Sequence, residues 1–137
     1  GFPGETEEDF ARLCDFVREI KFDRLGVFTY SMEEDTPASR LPDQVPDEVK
    51  EMRAGALMEI QREIARENAS RFLGRTLDVL VERYDRKSGV YVGRSQYDAP
   101  EVDGEVFISG GRAKVGEFCR VRITHAYEYD LSGEGIA

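Results

Sequence analysis

The chain has 137 residues, 40% of them apolar and 34% charged, with a formal net charge of −9 at pH 7. That size and apolar share suffice for one ordinary domain or two small pieces with a core, and the acidic balance excludes a binder that holds nucleic acid through a large basic excess. With His125 as its one histidine and Cys14 and Cys119 far apart, the chain cannot by itself supply the usual zinc or iron–sulfur ligand set.

The opening Gly1-Phe2-Pro3-Gly4-Glu5-Thr6 reads as a sharp turn, because the two glycines reach backbone angles closed to other residues and Pro3 fixes its own φ. Such a turn normally joins a strand to a helix. No strand precedes it, so the chain reads as a fragment. Thr6 can cap a helix whose first turn carries Glu7, Glu8 and Asp9, with Asp9 placed to bond back to the cap. Phe10, Leu13, Cys14, Val17 and Ile20 then recur at steps of three and four as the apolar stripe of an amphipathic helix.

Residues Phe22 to Ser31 contain the nearly continuous apolar run Leu25–Tyr30, which predicts a strand covered on both faces, as in a parallel sheet. Met32 to Val45 is a polar loop. Pro46 suits a first helical position, Asp47 and Glu48 follow in the first turn, and Val49, Met52, Ala56, Ile60 and Ile64 space out the apolar face of a long helix running to about Ser70. Residues 1–70 thus read as turn–helix–strand–loop–helix, the tail of a repeating β/α pattern that is poorly stabilised alone.

Beyond Phe72 the pattern changes to short strands at Thr76–Tyr84, Val90–Gln96, Glu105–Ser109 and Phe118–Tyr127, divided by Gly- and Asp-containing turns. Leu77, Val79 and Val81 alternate, and so do Val121 and Ile123 against Arg120 and Arg122, so one face is dry and the other polar. Four or five short antiparallel strands in this span predict a small closed barrel of the OB type, giving two domains, 1–70 and 71–137. The acidic excess is uneven: residues 1–70 hold 9 basic and 17 acidic residues, net −8, and residues 71–137 hold 10 and 11, net −1. Cys14 and Cys119 sit in apolar patterns and read as reduced core thiols. No apolar run reaches membrane-spanning length and no charged-then-apolar signal opens the chain, so the expected location is the cytosol, with no membrane partner.

Two segments carry a family resemblance. Gly1 to Phe10 resembles the loop and helix after a late strand of the radical S-adenosylmethionine partial TIM barrel of methylthiotransferases, and the C-terminal barrel resembles a TRAM domain. Gly93-Arg94-Ser95-Gln96-Tyr97-Asp98-Ala99-Pro100-Glu101-Val102-Asp103-Gly104 is similar to the signature of the RimO family, with Val121–Thr124 and Glu128–Leu131 fitting the same branch. The resemblance covers essentially the whole chain. It implies an α+β fragment: the last β/α units of that barrel, then the TRAM barrel.

The implied activity is insertion of a methylthio group at the β-carbon of an aspartate in ribosomal protein S-twelve of the small subunit. S-adenosylmethionine and two 4Fe–4S clusters are the implied cofactors, with cluster cysteines in upstream segments, a Cys-x-x-x-Cys-x-x-Cys motif among them. This chain holds no catalytic and no metal-ligating residue of that set and is expected to be inactive alone. Gly1, Pro3, Gly4 and Glu5 are the candidate cofactor-binding residues; the alternative is a tight turn with an exposed glutamate. Arg94, Asp98, Glu101 and Asp103 are the candidate substrate-binding residues, the acids steering a basic ribosomal protein or forming only a solvated loop. Arg94, Arg112, Lys114, Arg120 and Arg122 are a basic stripe for ribosomal RNA nearby or ordinary polar faces of the barrel. His125 reads as a surface side chain, and Tyr127 and Tyr129 as core or rim packing. The expected protein is a monomer. The alternatives are the tRNA-modifying branch of these enzymes, MiaB, and a non-catalytic RNA-binding barrel on a helical adaptor.

Overall fold

A computed structural model describes residues 1–97 and 104–136. It divides into two compact units, Gly1–Ile64 and Ala65–Ala137.

In the first unit, helix α1 (Glu7–Ile20) begins where the sequence places it. The Thr6 hydroxyl accepts the Asp9 N–H at 3.1 Å, and Asp9 Oδ2 accepts the Thr6 N–H at 3.0 Å, a complete capping box. The hydrogen bond from the Thr6 amide, followed by that from its hydroxyl, holds the Asp9 carboxyl below the usual carboxylate range. A depressed folded pKa contributes stability above the unfolded value, and that stability is lost as pH falls through the folded one. Loss of the cap hydroxyl in Thr6→Ala should cost about 1 kcal/mol, and an NMR titration should show the Asp9 carboxyl moving part of the way back toward its ordinary value, because the bond from the Thr6 amide is kept. Lys21, at φ 57°, ends the helix in the left-handed region, with its N–H on the Val17 carbonyl at 3.1 Å.

Only part of the predicted stripe on α1 is covered within this unit. Cys14 and Val17 are buried and Phe10 packs at the cluster's margin, whereas Leu13 and Ile20 are 40% and 49% exposed.

Residues 22–31 do not form the predicted strand. They are extended, but a strand exists only when its N–H and C=O groups meet a neighbouring strand, and no strand occurs in this unit among the described residues. Leu25 and Val27 still face the apolar cluster of Cys14, Val17, Leu57 and Ile64, while Phe28, the next residue, is 95% exposed. The period of two is there without the ladder.

Helix α2 (Asp47–Ser70) runs as expected, and of its expected apolar face Ile64 is buried and Ile60 packs against the cluster, but the N-terminal half buries other positions. Met52 is 65% exposed and Ala56 is also at the surface; the buried row is Lys50, Arg53, Leu57, Gln61 and Ile64. The spacing is helical, yet three of the five side chains are polar. Each donates to the segment above it: Lys50 Nζ to the Tyr30 carbonyl at 3.0 Å, Arg53 to Glu5 and Glu7, and Gln61 Nε2 to the Phe22 carbonyl at 2.8 Å, while Arg53 Nε and Gln61 Oε1 are buried without partners. Polar groups can be buried there because they supply donors to segments with no ladder of their own. No helix among the described residues is long and apolar enough to cross a membrane.

The second unit is a closed barrel of β1 (Thr76–Asp85), β2 (Val90–Ser95), β3 (Val106–Ser109), β4 (Phe118–Ala126) and β5 (Leu131–Ile136), in the order β1-β2-β3-β5-β4. Its ladders are antiparallel except for β3 with β5, which run parallel from Val106↔Leu131 to Ser109↔Glu134. Leu77, Val79, Val81, Val106, Ile108, Val121, Ile123 and Leu131 fill the interior, and Ala69 from the last turn of α2 joins them. Irregularities at Val81/Arg83 and Ile123/His125 bend β1 and β4 as closure requires. A side chain at Gly93 would collide with the Leu80 carbonyl, and one at Gly133 with that of Arg122. Close approach of backbones, not a special φ, requires both glycines.

Candidate functional site

The first candidate is the turn at residues 1–5. Gly4, at φ 88°, directs its N–H to the Asp43 carbonyl at 2.9 Å, and the Glu5 N–H returns to the Phe2 carbonyl at 3.0 Å. Pro3 is buried, and the Phe2 ring meets Tyr30 edge-on at 5.4 Å between centroids. Any side chain at Gly1 would strike the stem of Lys50.

Beneath the turn lies Arg53, only 7% exposed. One guanidinium nitrogen, Nη1, donates to the Glu5 carbonyl at 3.1 Å and to Glu5 Oε1 at 2.8 Å; the other, Nη2, donates to Glu7 Oε1 at 3.0 Å. These bonds, that to Glu7 first, push the Arg53 pKa further up and keep it a cation. The Phe10 ring covers the guanidinium at 5.7 Å. Glu5 is therefore committed to Arg53.

The amides of Gly4, Glu5 and Thr6 are all spent internally, whereas the Pro3 and Gly4 carbonyls accept no hydrogen bond among the described residues. The turn offers acceptors, a set that fits the hydroxyl and amino groups of a nucleoside and not a phosphate. Lys50 also lines a neighbouring cleft formed by Thr29–Met32, Gln44–Asp47 and Glu51, where the Tyr30 hydroxyl is buried without a partner.

For iron–sulfur clusters the residues do not fit. Cys14 and Cys119 are buried thiols, each with its pKa raised by burial, and among the described residues no three His, Cys, Asp or Glu side chains converge to hold a metal.

On the barrel, Arg94 lies on β2 opposite Leu80 and pairs through Nε with Glu82 Oε1 at 3.0 Å, while its Nη1 is buried without a partner. Asp98, Glu101 and Asp103 lie outside the described residues. The basic stripe is interleaved with acids: Arg120 stands opposite Asp78, and Arg122 pairs with Glu134 at 3.7 Å. Arg83 is likewise taken by Glu105 at 2.9 Å and Arg66 by Glu128 at 2.6 Å. Arg112 and Lys114 are exposed on the connection between β3 and β4. His125 is exposed, with Nδ1 3.0 Å from the Thr124 hydroxyl. Tyr127 is 51% exposed at a shallow cleft lined by Arg66 and residues 126–130.

Lys50, Arg53 and Gln61 are the organising residues that sequence reasoning passes over. Their signal is helical spacing of buried positions one residue away from the apolar ones, invisible to a search that counts only apolar side chains.

Comparison with known proteins bears on the barrel and on the chain as a whole. The TRAM domain family matches residues 73–136, which are the barrel and its approach. The chain is 53% identical over 136 residues to a protein of Heliobacterium modesticaldum named "Ribosomal protein uS12 methylthiotransferase RimO", covering 99% of this chain and 29% of the relative. Proteins of the same name from Desulforamulus reducens and Desulfitobacterium hafniense are 51% and 50% identical, over 98% and 99% of this chain and 31% of each relative. The chain thus spans about a third of the length of the curated relatives it matches. Residues 73–136 belong to the TRAM domain family, and the whole chain is a homologue of the C-terminal part of the RimO methylthiotransferases.

Proposed function

We propose that the chain is the C-terminal part of a methylthiotransferase that modifies the β-carbon of an aspartate in small-subunit ribosomal protein uS12, with the TRAM barrel docking that protein. The observation that carries the reading is identity near 50% along the whole chain to proteins named for that activity.

S-adenosylmethionine and two 4Fe–4S clusters would supply the radical chemistry and the sulfur. The clusters' ligands fall outside this chain in that reading, which leaves the chain alone inactive. Its own residues divide the remaining work. In the turn of Gly1, Pro3, Gly4 and Glu5, the Pro3 and Gly4 carbonyls are the acceptors for the nucleoside part of S-adenosylmethionine, and Glu5 is held by Arg53. Arg94, Asp98, Glu101 and Asp103 meet the basic substrate, acting as a monomer in the cytosol.

Paired arginines on the barrel strands and at the end of α2 favour protein over RNA as the partner. Arg66, Arg83, Arg94 and Arg122 each already face a carboxylate, and the chain's net charge of −9 would repel phosphates.

Fluorescence anisotropy with purified uS12 and with structured RNA tests the reading. The expected result is uS12 binding that weakens with salt and falls when Asp98, Glu101 and Asp103 become amides together. Tight, salt-sensitive RNA binding without uS12 binding would instead establish the RNA adaptor. Methylthiolation of tRNA by the full-length enzyme would place it in the MiaB branch.

A further inference from the structure

The Gly1–Glu5 turn has almost no regular structure of its own. One backbone bond links it to the loop before α2, from Gly4 to Asp43, and one closes it on itself, from Glu5 to Phe2. Packing of Pro3 and of Phe2 against Tyr30 adds to those two bonds, and the charged tie comes from elsewhere. Arg53 provides that tie from α2, a rigid element: it grips the Glu5 carbonyl, the Glu5 carboxylate and the Glu7 carboxylate at once, at 2.8 to 3.1 Å. It thereby spans the junction between the turn and the first residue of α1.

The buried position carries a desolvation cost, which the pairing of both terminal nitrogens offsets, while Nε is buried without a partner. Two charge partners and one carbonyl occupy both terminal nitrogens, and Phe10 shields the group from water. Lysine could not do the same, since a single ammonium has no planar fork to reach three oxygens on two residues.

We infer that Arg53 is a positioning residue for cofactor binding: by clamping Glu5 and Glu7 it fixes where the carbonyls of Pro3 and Gly4 meet a nucleoside ligand. The inference rests on the proposed reading that this turn meets S-adenosylmethionine. Arg53 itself does not face the ligand; it acts through the turn.

The test uses the full-length enzyme with Arg53→Gln, Arg53→Lys, Glu5→Gln and the Arg53→Gln/Glu5→Gln double variant. S-adenosylmethionine affinity is read by equilibrium dialysis, steady-state constants by turnover, and uS12 binding and thermal midpoint as controls. Arg53→Gln should raise Kd and KM for S-adenosylmethionine about tenfold or more, with kcat at saturating cofactor and uS12 affinity unchanged. Arg53→Lys should recover part of the loss, and the double variant should lose less than the sum of the singles. In the 137-residue chain, Arg53→Gln should also speed hydrogen exchange at the Gly4 amide while barrel amides such as Val81 stay protected.

Wild-type enzyme that fails to bind S-adenosylmethionine overturns the underlying reading. Wild type that binds, with all three single variants binding equally well, overturns the inference alone. So does a loss spread equally over kcat, uS12 binding and cofactor affinity, which would mark Arg53 as a general stabiliser. Should Arg53→Gln fail to fold, Arg53→Lys and Glu5→Gln decide the question, because each keeps part of the clamp.

Discussion

Gly133→Ala lowers the thermal midpoint of the barrel sharply, costs about 3 kcal/mol or more, and leaves the helical signal of the first unit in place. The methyl group would be driven into the Arg122 carbonyl and toward a Val121 methyl. Overpacking of a well-filled core costs about 1–3 kcal/mol where side chains can yield, and here the nearer obstacle is backbone in a paired strand. Gly133 faces Ile108 on β3 and Ile123 on β4, so its displacement opens two ladders at once. Gly110→Ala makes a useful control, since a side chain there meets nothing within 4 Å and the cost is limited to its left-handed φ of 65°. Differential scanning calorimetry with circular dichroism at two wavelengths reads both. A Gly133→Ala midpoint equal to that of Gly110→Ala would refute the close-approach argument.

Gln61→Glu should destabilise the first unit by about 3–5 kcal/mol at neutral pH and by much less in acid. Gln61 is fully buried, its Nε2 donates to the Phe22 carbonyl, and its Oε1 has no partner. An ionised glutamate would set a carboxylate against that carbonyl with no donor between them. Only the protonated form can donate, so burial raises the folded pKa of the new residue above its unfolded value near 4.3. The linkage sign follows. A carboxyl with a raised folded pKa is tolerated below the unfolded value, and the penalty grows as pH rises toward the folded one. Urea unfolding of variant and wild type at several pH values should show a difference that shrinks on acidification. A difference independent of pH would mean that the carboxyl is solvated.

The barrel was legible because its chemistry is periodic. Leu77, Val79 and Val81 on one strand recur at every second position, Val121 and Ile123 on another alternate with arginines, and the glycine turns mark their ends. The strand at residues 131–136 was harder to read, since Leu131-Ser132-Gly133-Glu134-Gly135 has little apolar content; its two glycines make room for neighbouring backbones instead of filling a core. The capping box of α1 was written plainly in Thr6 and Asp9.

In the first unit, local pattern and outcome part company. The apolar run at 25–30 has the composition of a strand and the alternation of one, but a ladder is a property of two segments and no local sequence can supply the second. On α2 the apolar positions pointed to Met52 and Ala56, while Lys50, Arg53 and Gln61 took the buried row because the segments lying on them needed donors. Sequence periodicity registers water-averse side chains; it does not register hydrogen-bond demand. At the candidate site, Glu5 was readable as part of a turn, but its capture by an arginine 48 positions away was not.

The parallel pairing of β3 with β5 bears on synthesis. Because β5 sits between β3 and β4 and is the last strand to be made, the nascent chain holds two unsatisfied edges until residues 131–136 leave the ribosome. A chain whose residues 131–136 are removed or held back can form at most an open four-strand sheet, the form in which this unit is most exposed to misassembly with a neighbouring copy.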